Sequence, residues 1–103
     1  KAIAELEAGG GTGGIDRPRI KIVFAELAWE DYLYWQAHDA KLLARLDGLI
    51  HECARTPFRG TGKPESLRGS LSGWWSRRLT REHRLVYQVR DDASLIAQCR
   101  GHS

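Results

Sequence analysis

Cysteine is scarce in this chain. Its 103 residues include two cysteines, Cys53 and Cys99, which lie in apolar surroundings and lack a CxxC spacing. Such cysteines are typically buried thiols of a protein that is kept in a reducing compartment. One falls on a predicted helix and the other on a predicted strand, so the sequence alone leaves a disulfide between them open.

Recognisable metal-ligand spacing and long apolar runs are also missing. The four histidines (His38, His51, His83 and His102) form no known ligand pattern. No apolar run approaches the roughly 20 residues that are needed to cross a bilayer, and no secretory signal pattern is present. We therefore expect a soluble, cytoplasmic protein that needs neither a metal nor another cofactor.

Acidic residues are few in the second half of the chain. Residues 55–90 contain nine Lys or Arg and two acids, Glu65 and Glu82, whereas acids outnumber bases in residues 1–54. This local excess of positive charge predicts a surface for a polyanion, for which nucleic acid is the default candidate. A chain of 103 residues has room for one domain with a single modest core.

The first half of the chain predicts a tail, a strand and two helices. Residues 1–18 combine a short helix-prone stretch with the linker GGGTGG, so we expect a flexible tail there and the folded domain over residues 19–103. A strand is predicted at 20–24 and a helix at about 25–38. A second helix, capped by Asp39, runs to about Thr56 and carries an apolar stripe at three- and four-residue spacing.

The second half predicts a loop and three strands. Residues 57–73 are rich in glycine and proline and are interpreted as a loop. Strands are predicted at 74–79, 84–89 and 95–100, with tight connections at 80–83 and 91–93. Helices first and strands afterwards indicate an α+β domain with an antiparallel meander.

Three residues of the basic half are candidates for a catalytic base, an anion-binding group and a proton donor. Glu65 is a candidate general base, although a lone glutamate after a proline is more often simply solvated. Arg84 alternates with Leu85 and Tyr87 in a predicted strand, so it projects from the other face, where it would pair with an acid or hold a phosphate. Histidine titrates near neutrality, which makes His102 a candidate proton donor, although histidines at chain ends are mostly frayed.

Short motifs across the domain resemble one family closely. They are WEDYLYW at 29–35, TPF at 56–58, GTGKPE at 60–65, LSGWWSRR at 71–78, EHRLVY at 82–87 and CRGH at 99–102. Over about residues 20–103 they resemble, in order and almost without gaps, the Txe/YoeB toxins of the RelE/ParE superfamily of bacterial toxin–antitoxin modules. The resemblance implies a RelE-like, microbial-RNase-like fold and an mRNA interferase, an endoribonuclease that cuts the message in the ribosomal A site. It also implies a homodimer and neutralisation by a YefM/Phd-type antitoxin.

The resemblance also implies roles for individual residues. The family's catalytic glutamate falls on Glu65, its phosphate-binding arginine on Arg84 and its penultimate histidine on His102. The family's supporting basic residues fall on Lys63, Arg68 and Arg78. Together with Arg77 and His83, these are the residues expected to contact RNA or phosphate. The sequence alone leaves open whether His83 is structural or faces the substrate.

The C-terminus departs from the family pattern. Family members typically end Arg-Tyr-His-Tyr, whereas this chain ends Arg100-Gly101-His102-Ser103 and lacks both tyrosines. The final tyrosine helps to shape the family's site, so its loss favours a competing hypothesis, a catalytically weakened binding module or co-repressor that acts with the antitoxin. A ParE-like gyrase inhibitor is a more distant alternative, because that branch lacks this catalytic set. In addition, residues 2–12 (AIAELEAGGGT) resemble the C-terminal part of YefM-type antitoxins.

Overall fold

The structure is a computed structural model that describes residues 21–101. In chain order its elements are β1 (Lys21–Phe24), α1 (Glu26–His38), α2 (Ala40–Arg55), β2 (Glu65–Ser66), a 3-10 turn (Gly69–Leu71), β3 (Trp75–Arg78), β4 (Arg84–Arg90) and β5 (Ala93–Gln98). The predicted tail, residues 1–18, and the predicted proton donor His102 lie outside the described residues. Within residues 21–101, neither helix has the length and apolar character that crossing a membrane requires.

Helix α2 begins and ends close to where the sequence predicts. The Oδ1 atom of Asp39 accepts a hydrogen bond from the amide of Leu42 at 3.0 Å, which satisfies one of the unpaired amides of the first turn. The helix ends at Arg55, two residues before Pro57. Its apolar stripe is buried at four positions, Leu46, Leu49, Ile50 and Cys53.

The five strands form one mixed sheet in the order β1-β5-β4-β3-β2. The pairs from β2 to β5 are antiparallel, which confirms the predicted meander. Strand β1 pairs with β5 in parallel, with Val23 opposite Leu95. The two helices connect β1 to the rest of the sheet, as a parallel crossover requires. Ala93, which the sequence analysis assigned to a turn, is the first residue of β5.

Both helices pack on the same face of the sheet and enclose the core. Leu85, Tyr87 and Ile96 contribute to this core from the strands. Cys53 and Cys99 are buried there as free thiols, so the prediction of two buried thiols is confirmed. Burial raises the pKa of Cys53 to about 11 and that of Cys99 to about 12. Both groups therefore stay protonated near neutrality and are poor nucleophiles.

Candidate active site

Glu65 and Arg84 lie together on the sheet face opposite the helices, which we call the site face. Leu85 and Tyr87 are buried against the helices, and Arg84, one residue out of phase with them on β4, projects the other way. The Arg84 Nη1 atom lies 3.7 Å from the Glu65 Oε1 atom, and 36% and 60% of the two side chains are exposed. The carboxylate and the guanidinium are thus in contact and accessible.

Strand β3 separates the two residues and fixes their relative position. Glu65 pairs with Ser76 across one edge of β3, and Arg84 pairs with Arg78 across the other. The arginine side chain reaches along β3, where its Nη1 atom donates a hydrogen bond to Ser76 Oγ at 3.2 Å. Ser76 is 1% exposed, so this contact positions the guanidinium beside Glu65.

The sequence analysis missed Ser76 and the short strand β2. Side chains alternate between the two faces of a strand, so Ser76 lies on the same face as Arg78. This alternation is the signal from which the sequence analysis could have found Ser76. Strand β2 has two residues, Glu65 and Ser66, which is too short for a recognisable pattern. It forms within the predicted loop because its backbone pairs with β3.

Arg77 lies inside the protein, which corrects the expectation that it contacts RNA. Its side chain is fully buried. Nη1 donates to the carbonyl oxygen of Thr61 at 3.0 Å, and Nη2 donates to the carbonyl oxygens of Thr56 and Arg59. Nε donates to the Tyr87 hydroxyl at 3.2 Å. A guanidinium in a fixed planar fork can satisfy several carbonyl oxygens at once, so Arg77 holds the loop that follows α2.

Glu52 holds the same loop from helix α2. Its Oε2 atom accepts a hydrogen bond from the amide of Thr61 at 3.0 Å, and Oε1 lies 3.7 Å from Arg77 Nη1. Hydrogen bonding to Thr61, with a smaller contribution from the charge of Arg77, lowers the pKa of the Glu52 carboxyl. Gly60 has φ +114, and a Cβ atom there would come within 2.2 Å of Glu52 Oε2. The loop therefore passes close over α2 before it reaches Lys63 and Glu65.

Three of the remaining predicted RNA contacts are exposed around the site. Lys63 is two residues before Glu65, and Arg68 is three residues after it. Lys63 has φ +48, an uncommon backbone conformation for a residue with a side chain. Arg78 lies on the site face opposite Arg84, and its amide donates to the carbonyl oxygen of Gly62 at 2.7 Å.

His83 is half-buried at the start of β4 and contacts the end of the described chain. Its Nδ1 atom accepts a hydrogen bond from the amide of Gly101 at 2.8 Å. The carbonyl oxygen of Gly101 accepts in turn from the amide of Arg84 at 3.1 Å. Gly101 is thereby bound to the residue that carries the guanidinium of the site, and His102 is the next residue in the sequence.

Comparison with known proteins relates this fold and site to toxins. Residues 24–103 match the family model described as YoeB-like toxin of bacterial type II toxin-antitoxin system. Toxin YoeB of Escherichia coli (strain K12) is 54% identical over 83 residues, which are 81% of this chain and 99% of that protein.

Solved structures of similar proteins have the same fold. A YoeB/ParE toxin from Agrobacterium tumefaciens is 44% identical with a TM-score of 0.80, and the match covers 82% of this chain and 100% of that one. The YoeB dimer from Staphylococcus aureus is 42% identical with a TM-score of 0.77, covering 82% and 99%. The YoeB-YefM complex from the same species is 41% identical with a TM-score of 0.76 and the same coverage.

The fold is thus an α+β domain of the RelE-like toxin type, as the resemblance implied. The chain belongs to the family of YoeB-like toxins of bacterial type II toxin–antitoxin systems.

Proposed function

We propose that this protein is a ribosome-dependent endoribonuclease that cuts mRNA in the A site and so inhibits translation. The observation that carries the proposal is the contact of 3.7 Å between Glu65 Oε1 and Arg84 Nη1 on the site face. A general base and an anion-binding group must both reach one phosphodiester, and this pair meets that requirement while both side chains remain accessible.

The proposed reaction uses the RNA's own 2′-hydroxyl as the nucleophile. That oxygen attacks the adjacent phosphorus while Glu65 takes its proton. The bond from phosphorus to the 5′-oxygen breaks, and His102 protonates the leaving oxygen. The products are a 2′,3′-cyclic phosphate and a 5′-hydroxyl. Protein side chains supply the base, the acid and the anion-binding group, so the scheme requires no metal, and DNA is resistant because it lacks the hydroxyl.

Arg84 stabilises the charge that develops on the phosphate oxygens in this scheme. The structure supports the role through its contacts, since those to Ser76 and Glu65 both involve Nη1. A guanidinium has five N–H donors. Arg84 can therefore bind a phosphate while it remains attached to Ser76, and the incoming phosphate competes only with the exposed contact to Glu65.

Lys63, Arg68 and Arg78 are the proposed contacts with the RNA backbone. All three are exposed, and Arg78 shares the site face with Arg84. Their charges attract phosphates irrespective of base sequence. This fits an enzyme that meets its message on the ribosome, where the ribosome and the codon define the cutting position.

We further propose that the chain is a homodimer and is neutralised by a YefM/Phd-type antitoxin. The support is that the similar protein from Staphylococcus aureus has been solved as a dimer and in a complex with YefM. Light scattering at micromolar concentration should give twice the monomer mass. A strict monomer, or failure of a co-expressed YefM-type antitoxin to co-purify, would contradict these two proposals without touching the catalytic one.

Primer extension on translated mRNA tests the activity. The parent protein should cut within the A-site codon when ribosomes are present and leave the message intact when they are absent. Glu65→Gln should lower cleavage by about 10²- to 10⁴-fold, the usual contribution of a general base. Glu82→Gln is a matched control, because Glu82 is exposed in the turn before β4. Equal cleavage by the parent and Glu65→Gln would reject Glu65 as the base.

The absence of both family tyrosines favours one second candidate, a toxin-fold binding module or co-repressor that acts with the antitoxin. Ser103 has no ring to stack on a base. The same assay separates the two functions. No cleavage by the parent, with ribosome or antitoxin binding intact, would establish the binding module instead of the nuclease.

A further inference from the structure

Helix α1 fixes the end of strand β5 at Cys99. The carboxylate of Asp31 accepts a hydrogen bond from the Cys99 amide at 3.1 Å, and the indole of Trp35 donates to the Cys99 carbonyl oxygen at 2.9 Å. Asp31 and Trp35 are themselves almost fully buried. Both backbone groups of Cys99 are therefore satisfied by side chains of one rigid element.

Two residues further on, the chain is bound to the start of β4. The amide of Gly101 donates to His83 Nδ1 at 2.8 Å, and the carbonyl oxygen of Gly101 accepts from the amide of Arg84 at 3.1 Å. Both backbone groups of Gly101 are thus held by two consecutive residues, His83 and Arg84, where β4 begins. One of these bonds is made by the Arg84 amide and does not depend on a side chain. The other depends on the side chain of His83.

The hydrogen bond to Gly101 specifies the protonation state of His83. An amide is only a donor, so Nδ1 must carry a lone pair, and the ring proton resides on Nε2. A doubly protonated ring has donors at both nitrogens and cannot accept this bond. The edge of the ring packs on the Trp35 indole, with centroids 4.8 Å apart and planes at 73°, which fixes the direction of Nδ1.

Several charged residues lie on the elements next to His83. Trp35, its contact on α1, is one turn after the carboxylate of Asp31. From α2, Arg45 donates to the carbonyl oxygens of Arg78 and Leu79 at the end of β3. The turn itself contributes Arg81 and Glu82, β4 contributes Arg84, and Arg100 lies just before Gly101.

We propose that His83 is a positioning residue for cleavage: its neutral ring holds Gly101 against the start of β4, and so fixes the point from which the chain continues into His102. The proposal rests on the proposed nuclease function. It differs from the expected role of His83 as an RNA contact, because the atom in use faces the protein's own backbone. Loss of this hydrogen bond releases Gly101, and cleavage should fall with it.

Nuclear magnetic resonance tests the anchor without any RNA. We expect the Gly101 amide of the parent to be protected from hydrogen exchange. His83→Ala should remove the protection. His83→Asn should retain it, because the asparagine carbonyl oxygen accepts the bond from nearly the same place. His51→Ala is the control, because His51 contacts a carbonyl oxygen within α2. In this variant the Gly101 amide should keep the protection that it has in the parent.

Kinetics on ribosomes then tests the consequence for cleavage. His83→Ala should lower kcat roughly five- to tenfold, the effect of losing one hydrogen bond, with little change in KM. His83→Asn should keep a rate near that of the parent, because it keeps the hydrogen bond to Gly101. His51→Ala should behave as the parent.

Several outcomes would overturn the proposal. One is equal protection of the Gly101 amide from hydrogen exchange in the parent and in His83→Ala. Another is a His83→Ala variant with a raised KM and an unchanged kcat, which would make His83 an RNA contact. A parent that does not cleave at all refutes the proposed nuclease function, and the Gly101 amide still decides whether His83 anchors the chain.

Discussion

The guanidinium of Arg84 lies 3.7 Å from the carboxylate of Glu65, although 18 residues separate them in the chain and a further strand lies between theirs. The contact depends on Ser76, which pairs with Glu65 in the sheet and accepts a hydrogen bond from Arg84. Each of the three residues is on a different strand, so the backbone pairing of β2, β3 and β4 sets the geometry of the site.

Arg84→Ala should lower kcat by about 10²- to 10³-fold, because it removes the group that we propose to stabilise the phosphate charge. Arg84→Lys should recover part of the rate, since an ammonium keeps the charge and loses the planar fork. Arg90→Ala is the control, because Arg90 is exposed at the other end of β4. Single-turnover cleavage on ribosomes measures the rates, and equal losses at positions 84 and 90 would contradict the assignment.

Arg77→Ala should lower the free energy of unfolding by about 3 kcal/mol or more, since it removes a fully buried guanidinium that binds three carbonyl oxygens and the Tyr87 hydroxyl. Arg78→Ala, at the neighbouring exposed position, should change it by less than about 0.5 kcal/mol. Urea denaturation followed by tryptophan fluorescence gives both values. Similar values for the two variants would mean that the buried contacts of Arg77 do not hold the loop.

Binding to RNA should weaken steeply with salt. If Lys63, Arg68, Arg78 and Arg84 each neutralise one phosphate, a fourfold rise in salt lowers the affinity for a single strand roughly 50-fold. Fluorescence anisotropy with the Glu65→Gln variant, chosen to limit cleavage, measures the slope of the logarithm of the affinity against the logarithm of the salt concentration. Removing the charge of Arg78 in this background should reduce the slope by about 0.7. A slope near zero would exclude these side chains as the contact surface.

The two missing tyrosines should have different effects when restored. Ser103→Tyr should raise cleavage roughly tenfold, since stacking on a base contributes about 1–3 kcal/mol. Gly101→Tyr should be destabilising, because Gly101 has φ +92 and such a backbone costs other residues about 1–3 kcal/mol. Primer extension and thermal unfolding of both single variants provide the comparison. Equal cleavage by the parent and Ser103→Tyr would show that Ser103 is no handicap.

Glu52 should make stability fall in acid. Its pKa is lowered from 4.5 in the folded protein, chiefly by the hydrogen bond from Thr61. A lowered pKa contributes stability that is complete above the unfolded value of 4.5 and is lost as the pH falls through the lower folded value. The Tm difference between the parent and Glu52→Gln should therefore shrink below that pH. A constant difference for Glu52→Gln across this pH range would refute the linkage.

Local patterns predicted the elements whose ends and faces depend on nearby residues. The cap at Asp39 and the apolar stripe of α2 act within a few residues, so their signals survive without tertiary information. The alternation along β4 likewise placed Arg84 opposite Leu85 and Tyr87. Motif resemblance supplied the RelE-like fold and the family, and singled out Glu65.

Tertiary structure alone decided which charged side chains face solvent and which do not. Arg77 and Arg78 are adjacent arginines in one strand, and the sequence analysis treated both as RNA contacts. A period of two guarantees that they point to opposite faces. Only the packing of α2 and its loop against one face determines that Arg77 is buried, because a buried guanidinium is tolerated where carbonyl oxygens from distant residues meet it.

The parallel pairing of β1 with β5 and the two-residue strand β2 were likewise invisible in the sequence. Both exist because backbone groups far apart in the chain satisfy one another. The sequence by itself determined the helices, the faces of the long strands and the charge of the basic half. Only the long-range backbone pairing decided that Glu65, Ser76 and Arg84 meet, since no local propensity encodes which strands become neighbours.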